Sequence, residues 1–276
     1  MCNRPEHPVT AYKVHFISEG LTMNSPKNPY PALTGTAGRT LCLLISVLLF
    51  AGVTLYAKEV WETKPPDEWS QRDCQKLLTN SPWAKELSLV GADYGQGGGA
   101  ASSDAQAPYI TYTIRLTSAE PVRQAVVRQM KILNKYDSLP AEQKQEFDRS
   151  TQAFLAGPPS DYVVATVSFE TNHRDFLRDL LRHWQSQTTD LLQNSVYLSG
   201  SKGEKVRLAQ FVPVQGANQE FQFVFPRSVD GKEVLQPDDK ALHLEFDYPQ
   251  VGRLGNGKGF IEFKTNKMKI NNEVVY

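Results

Sequence analysis

The chain has 276 residues, of which 40% are hydrophobic, and its 30 basic side chains balance its 30 acidic ones. This hydrophobic content argues against a disordered chain and indicates a folded domain with a core. A formal net charge of zero gives no reason to expect a nucleic acid as a partner.

Residues 41–57, LCLLISVLLFAGVTLYA, form an apolar run without a charge. The run is at the lower edge of the roughly 20 residues that cross ~30 Å of hydrocarbon as a helix, so it predicts either a signal peptide or a membrane anchor. Gly52 and the small Ala57 favour cleavage near Ala57, whereas Leu55 and Tyr56 are larger than a cleavage site prefers. Both interpretations stay open, and we favour cleavage.

Basic residues outnumber acidic ones ahead of the run, which predicts a cytoplasmic leader over 1–40 and export of the chain beyond the run. The leader is long for a secretory one, and a start at Met23 would shorten it. The expected location is therefore extracytoplasmic, either periplasmic or secreted. The protein is either released after cleavage near Ala57 or anchored by a single N-terminal helix, in which case 41–57 contacts the membrane.

The exported part begins with a proline-containing spacer over 58–68 and continues as a domain over 69–276. Ser70 and Asp73 predict the capped start of a short helix. Cys74 is the only cysteine after the apolar run and falls on the apolar stripe of that helix. We therefore expect a buried thiol and no internal disulfide.

Trp69 and Trp83 bracket this short helix. Two tryptophans around a capped helix predict an arm that aromatic burial clamps onto the body of the domain. The alternative is that the two rings are exposed and dock onto a partner, which would make the protein an assembly subunit.

Residues 69–85 also carry the string W-S-x-x-D-C-x-K-L-L-T-x-S-P-W-A-K. This string resembles the opening of an uncharacterised family of exported bacterial proteins. Members of that family resemble the chain in two further patches, Ser118-Ala119 with Pro121-Val122-Arg123 and Phe223-x-Phe225-Pro226-Arg227. The resemblance implies export and a shared fold, and it implies no particular chemistry.

Residue periodicity predicts the elements beyond residue 90. In chain order they are a glycine-rich loop over 91–108, a strand over 109–117, a helix from a Ser118 cap to about residue 136, a polar helix over 140–156 and a strand over 161–169. The most amphipathic helix comes next, and its apolar stripe consists of Phe176, Leu177, Leu180, Leu181 and Trp184.

From residue 195 onward the pattern alternates and predicts strands. They cover 205–214, 219–225, 242–248, 259–264 and a last edge through Met268 and Ile270. The predicted fold class is α+β, a mainly antiparallel sheet with helices packed on one side, preceded by an N-terminal apolar export or anchor helix. Whether 69–276 divides into two domains near residue 200 stays open.

His243, Glu245 and Asp247 lie at i, i+2 and i+4 of one predicted strand. Alternation places them on one face, about 6.6 Å apart along the backbone, which is near enough for two of them to share a metal ion. The alternative is the solvated face of a strand whose other face is apolar, and it explains the same pattern.

Arg253 and Lys258 lie in a glycine-rich run over 252–259. Such a run with two basic side chains could form an anion-binding nest. It lies between two predicted strands, however, whereas a phosphate-binding loop opens a helix. A hairpin loop is therefore the favoured interpretation, with an anion site as the alternative.

None of the signatures HExxH, GxSxG, CxxC or the P-loop occurs in the chain, so no cofactor is predicted. The leading hypothesis is a non-enzymatic binding or structural module of the cell envelope, with an unknown protein or envelope component as its partner. One alternative is a hydrolase or metal-dependent enzyme that uses His243 with Glu245 or Asp247. The other is an assembly subunit that docks through the Trp69/Trp83 arm.

Overall fold

The computed structural model describes residues 58–91, 107–158 and 161–276. The leader, the apolar run over 41–57 and most of the glycine-rich loop lie outside the described residues, and so does the predicted export helix. Within the described residues, no helix has the length and the apolar character needed to cross a membrane.

Six α-helices form in these described ranges. They are α1 (Val60–Thr63), α2 (Gln71–Thr79), α3 (Glu120–Leu133), α4 (Ala141–Ala156), α5 (Arg174–Ser186) and α6 (Thr189–Leu192). Short 3-10 helices cover Pro66–Glu68 and Tyr136–Ser138. Helices α3, α4 and α5 correspond to the three helices that periodicity predicts after residue 117.

Helix α2 begins as its sequence predicts. Ser70 Oγ accepts from the backbone N–H of Asp73 at 3.2 Å, and the Asp73 carboxylate accepts from the backbone N–H of Ser70 at 3.0 Å, which completes a capping box. The predicted burial of Cys74 is confirmed, since its side chain is inaccessible to solvent. That burial raises the pKa of the Cys74 thiol to about 11.

Thirteen strands form in the described part of the chain. They are β1 (Ala84–Val90), β2 (Tyr109–Leu116), β3 (Tyr162–Thr171), β4 (Tyr197–Gly200), β5 (Val206–Arg207), β6 (Gln210–Val212), β7 (Glu220–Pro226), β8 (Ser228–Val229), β9 (Lys232–Glu233), β10 (Ala241–Tyr248), β11 (Gly257–Lys264), β12 (Lys269–Ile270) and β13 (Glu273–Val274). The larger sheet has the order β1-β2-β3-β7-β6 and the smaller one β11-β10-β4-β5, with every neighbouring pair antiparallel. Strands β8–β9 and β12–β13 form two separate hairpins.

The hydrophobic core lies between the two sheets. Phe246 of β10 reaches across from the smaller sheet, and its ring centroid lies 5.9 Å from that of Tyr112 in β2 and 5.8 Å from that of Phe223 in β7. Trp184 of α5 stacks on Phe221 at 4.1 Å in the same layer. One hydrophobic cluster therefore includes residues on both sides of residue 200.

The α+β fold class is confirmed, and the architecture differs from the expected one in two respects. The long strands form two antiparallel sheets rather than one. Helix α5 packs on the inner face of the larger sheet, which is the face toward the smaller sheet. Helix α2 meets the opposite, outer face, where Arg115 Nε–H donates to the carbonyl of Leu78 at 2.9 Å. Alternation predicts which face of a strand is apolar, but it does not predict which strands hydrogen-bond to one another.

The range 58–68, expected to be a spacer, packs against the domain instead. Trp61 is buried, and its ring meets the ring of Trp83 edge-on with 5.7 Å between the centroids. Glu59 forms an ion pair with Lys76 of α2 at 2.5 Å. A segment with a buried aromatic anchor is part of the domain, because separating it would expose that ring to water.

Candidate functional site

The three residues predicted to bind a metal lie on one face of β10, as alternation predicts. The structure gives the two carboxylates separate partners. Glu245 pairs with Lys205 at 2.6 Å, and Asp247 pairs with Lys258 at 3.1 Å. Each carboxylate is thus already balanced by a lysine.

His243 lies across from Glu262 of β11, with 3.5 Å between Nε2 and Oε2. No group of three or more His, Cys, Asp and Glu side chains among the described residues is placed to hold a metal ion. The structure does not gather His243, Glu245 and Asp247 into a metal centre. They form the polar face of an amphipathic strand whose alternate residues lie in the core.

Trp69 and Trp83, the candidate docking residues, are 2% and 0% exposed. The indole N–H of Trp69 donates to the carbonyl of Lys64 at 3.0 Å, and that of Trp83 donates to the carbonyl of Val275 at 2.7 Å. Both rings therefore hold chain segments onto the domain. Neither is accessible to a partner, because burial and hydrogen bonding occupy them fully.

The predicted anion loop joins β10 to β11 and begins no helix. Val251 and Leu254 exchange two backbone hydrogen bonds of 3.0 Å, which close the tight turn that contains Arg253. Lys258 lies after the turn, in β11, where it pairs with Asp247. The hairpin interpretation of this run agrees with the structure.

A groove of about 810 Å³ runs along the edge of the smaller sheet. One wall is the stretch 202–209, which contains β5, and the other comprises Pro226 and residues between 229 and 236, around the β8–β9 hairpin. We call it the edge groove. Its apolar lining consists of Val206, Leu208, Ala209, Pro226, Val229 and Val234.

Strand β5 gives the edge groove an unpaired strand edge. Among the described strands it pairs only with β4, through Leu198 with Val206 and Tyr197 with Arg207. Successive residues of an antiparallel strand turn their backbone N–H and C=O groups to opposite sides, so one of these two residues directs its groups away from β4. Among the described residues, Val206 and Arg207 form no backbone hydrogen bond outside this pairing.

Asp239 joins the two walls at one end of the edge groove. Its side chain is 5% exposed and accepts from Ser201 Oγ at 3.0 Å, from the backbone N–H of Lys202 at 3.0 Å and from the backbone N–H of Gln236 at 2.7 Å. A Cβ at Gly200 would overlap this carboxylate, so the position requires glycine. The buried carboxylate thus sets the spacing between the walls.

The rim of the edge groove is charged. Lys205 is engaged by Glu245, whereas Arg207 and Lys232 form no ion pair in the part of the chain that the structure describes. The described lining contains no histidine, cysteine or serine, the side chains that most often act as bases or nucleophiles. Its charged side chains are lysines, one arginine and carboxylates, which surround the apolar lining.

A second concavity, of about 520 Å³, lies on the outer face of the larger sheet. We call it the outer-face hollow. Its floor is a row of four residues in register across β1, β2, β3 and β7, namely Glu86, Thr113, Ser168 and Glu220. Helix α2 and the loop before β7 complete the rim with Gln75, Thr79, Ala217, Asn218 and Gln219.

Sequence reasoning identified neither concavity. For the edge groove, the chain predicted as one strand over 205–214 divides into β5 and β6, because it crosses there from the smaller sheet to the larger one. The backbone N–H of Ala209 donates to the carbonyl of Val224 at 2.8 Å, just after the crossing. For the outer-face hollow, one sequence feature could have indicated a polar face of the sheet: the alternation of polar residues in β2 at Thr111, Thr113 and Arg115.

No family model matches the chain, and no curated protein or solved structure matches it either. The two concavities are therefore interpreted from their own geometry. The resemblance to an uncharacterised family of exported bacterial proteins stays a prediction.

Proposed function

We propose that the chain is an exported protein of the cell envelope that works as a binding module, and that its edge groove binds an extended segment of a partner protein. The observation that carries this proposal is the unpaired edge of β5 beside the apolar lining of the groove. A partner strand laid against β5 satisfies the free backbone N–H and C=O groups and extends the smaller sheet by one strand.

The groove suits a polypeptide better than a small metabolite. Main-chain hydrogen bonds to β5 supply affinity without regard to sequence, and apolar side chains of the partner fill the lining. The rim offers charges of both signs to the partner's remaining side chains. They are Glu204, Lys205, Arg207, Asp230, Lys232 and Glu233.

Export rests on the uncharged run over 41–57 and on the excess of basic residues before it. The location we propose is periplasmic or secreted, with the domain either released or held by one N-terminal helix. Fractionation of cells combined with mass spectrometry of the mature N-terminus tests this directly. Recovery of the protein from the cytoplasm with its leader intact would contradict export.

Peptide binding is tested with a displayed library of random peptides, screened against the full chain. The selected peptide is then titrated against Val229→Asp and against a control, Leu191→Asp. Val229 lines the groove and is 43% exposed, whereas Leu191 lies outside it and is 64% exposed, so neither change disturbs the core. We expect Val229→Asp to weaken binding by about tenfold and the control by less than about twofold.

Hydrogen exchange locates the bound peptide. The backbone amide of whichever of Val206 and Arg207 faces away from β4 should exchange more slowly in the complex, because the added strand pairs with that edge of β5. Equal affinity losses in the two variants, or protection confined to another surface, would show that the selected peptide does not occupy the edge groove.

A further inference from the structure

The outer-face hollow differs chemically from the edge groove, because its lining is almost entirely polar. Its polar side chains are the carboxylates Glu86, Glu170 and Glu220, the hydroxyls Thr79, Thr113 and Ser168, the amides Gln75, Asn218 and Gln219, and the guanidinium of Arg115. An apolar ligand gains little in such a place, since Phe169 and Ala217 are the apolar residues of its described lining and the ligand covers little apolar surface.

The charges of the hollow are unbalanced. Arg115 is engaged by Glu220, with 3.1 Å between Nη1 and Oε1, and by the carbonyl of Leu78 at its Nε. In residues 58–91, 107–158 and 161–276, neither Glu86 nor Glu170 forms an ion pair. Three carboxylates and one guanidinium leave the hollow with a formal charge of −2.

The floor of the hollow contains a hydroxyl that has no protein partner among the described residues. Thr113 is only 8% exposed, lines the hollow, and forms no side-chain hydrogen bond to any described residue. Because Thr113 lines the hollow, a ligand bound there can supply the hydrogen-bond partner that the described residues do not. Ser168, its register partner on β3, lies beside it in the same lining.

We infer that the outer-face hollow binds an organic cation that carries a protonated amine or guanidinium group. Such a group supplies positive charge for Glu86 and Glu170, and its N–H bonds donate to the hydroxyl oxygens of Thr113 and Ser168. A metal ion fits less well, since no described cluster of three acidic, histidine or cysteine side chains is placed to coordinate one.

The same cationic group occurs on free amines and on lysine or arginine side chains of a protein. Isothermal titration of the full chain with cadaverine, with agmatine and with a lysine peptide blocked at both ends separates these sources. Tighter binding of the peptide assigns the hollow to a protein side chain, and tighter binding of cadaverine or agmatine assigns it to a free amine. Either result supports a cation site.

Two variants locate the bound cation. Glu86→Gln removes one negative charge from the floor of the hollow, and Thr113→Val removes the Thr113 hydroxyl at nearly constant volume. We expect them to weaken binding of the best probe by about tenfold and about fivefold respectively. Glu142→Gln is the matched control, because Glu142 is an exposed carboxylate in the first turn of α4 and outside the hollow, and it should change the affinity by less than about twofold.

Three results would overturn the inference. The first is the absence of heat or saturation with all three probes at millimolar concentration. The second is binding of calcium chloride or of glucose where no amine binds. The third is that the Glu86→Gln variant binds the best probe with the same affinity as the Glu142→Gln control. This comparison tests the inference even if Thr113→Val fails to fold.

Discussion

Trp83 donates its indole N–H to the backbone carbonyl of Val275, with 2.7 Å between Nε1 and the oxygen, although the two residues are 192 positions apart in sequence. Trp83 lies directly before β1, and Val275 comes directly after β13. The bond therefore fastens the last residues of the chain to the start of the larger sheet. The same ring packs against Trp61, so it also holds the N-terminal segment of the domain.

Replacing this indole should be costly. Trp83→Phe leaves the Val275 carbonyl without its donor and opens space in the core, so we expect a loss of about 3 kcal/mol in the free energy of unfolding. Trp61→Phe is the control, since no hydrogen bond of the Trp61 indole is formed to the described residues, and it should cost about 1 kcal/mol. Urea unfolding followed by circular dichroism measures both. Equal losses would mean that the bond to Val275 contributes nothing.

Asp239 and its neighbour Asp238 offer a matched pair of substitutions. Asp239→Asn weakens the acceptor of three hydrogen bonds that join the walls of the edge groove, and we expect it to lower the free energy of unfolding by about 2 kcal/mol. Asp238 is exposed and pairs with the exposed Lys202, so Asp238→Asn should cost less than about 0.5 kcal/mol. Thermal unfolding of both variants provides the comparison. A similar cost for the two would argue against a structural role for Asp239.

Arg123 of α3 is buried, and backbone carbonyls surround its guanidinium. Its Nη1 donates to the carbonyls of Thr117 and Ser118, and its Nε donates to the carbonyl of Leu155 at 3.1 Å, so it ties the end of α4 to the chain before α3. Arg123→Met leaves three acceptors unsatisfied and should cost about 3 kcal/mol in chemical unfolding. Arg149→Met, on the exposed face of α4, should remain within about 0.5 kcal/mol of the parent.

Cys74 makes stability depend on pH at alkaline values. Burial raises the pKa of its thiol from 9.0 to about 11, so the unfolded chain releases this proton at a lower pH than the folded one. The contribution of Cys74 is therefore complete below pH 9 and declines as pH rises from 9 towards 11. The difference in unfolding free energy between the parent and Cys74→Ala should shrink across that interval.

Thiol labelling gives a second measurement of the same group. Iodoacetamide should leave native Cys74 unmodified at neutral pH and alkylate it once the chain is unfolded in urea, because the reagent attacks an accessible thiolate. Because the chain also contains Cys2 and Cys42, the labelled residue is identified by peptide mass spectrometry, and rapid alkylation of Cys74 in the folded protein at neutral pH would contradict its burial.

Local patterns predicted the longer helices and several strands, and they missed strand β1. The capping box at Ser70 and the strands over 109–117 and 161–169 agree with the structure to within two residues at each end. These features leave a signature in neighbouring residues, because a cap spans one helical turn and a half-buried strand alternates every second residue.

The pattern was wrong where a residue's partner lies far away in sequence. Ser118 is not the cap of α3, whose N-cap is Ala119; its hydroxyl instead accepts from the backbone N–H of Val164 at 3.2 Å. A serine before a helix is an equally good acceptor for a cap or for a distant strand, and only the position of β3 decides between them.

The sequence by itself determined the uncharged run over 41–57, the longer helices α2 to α5, strands such as β2, β3, β7, β10 and β11, and the apolar side of each, because these depend on residues close together in the chain. The tertiary structure alone decided the two concavities. Glu86, Thr113, Ser168 and Glu220 form one row only because four strands pair in a particular register. The edge groove exists only because the chain leaves the smaller sheet after β5, and hydrogen bonding between distant strands has no signature in local periodicity.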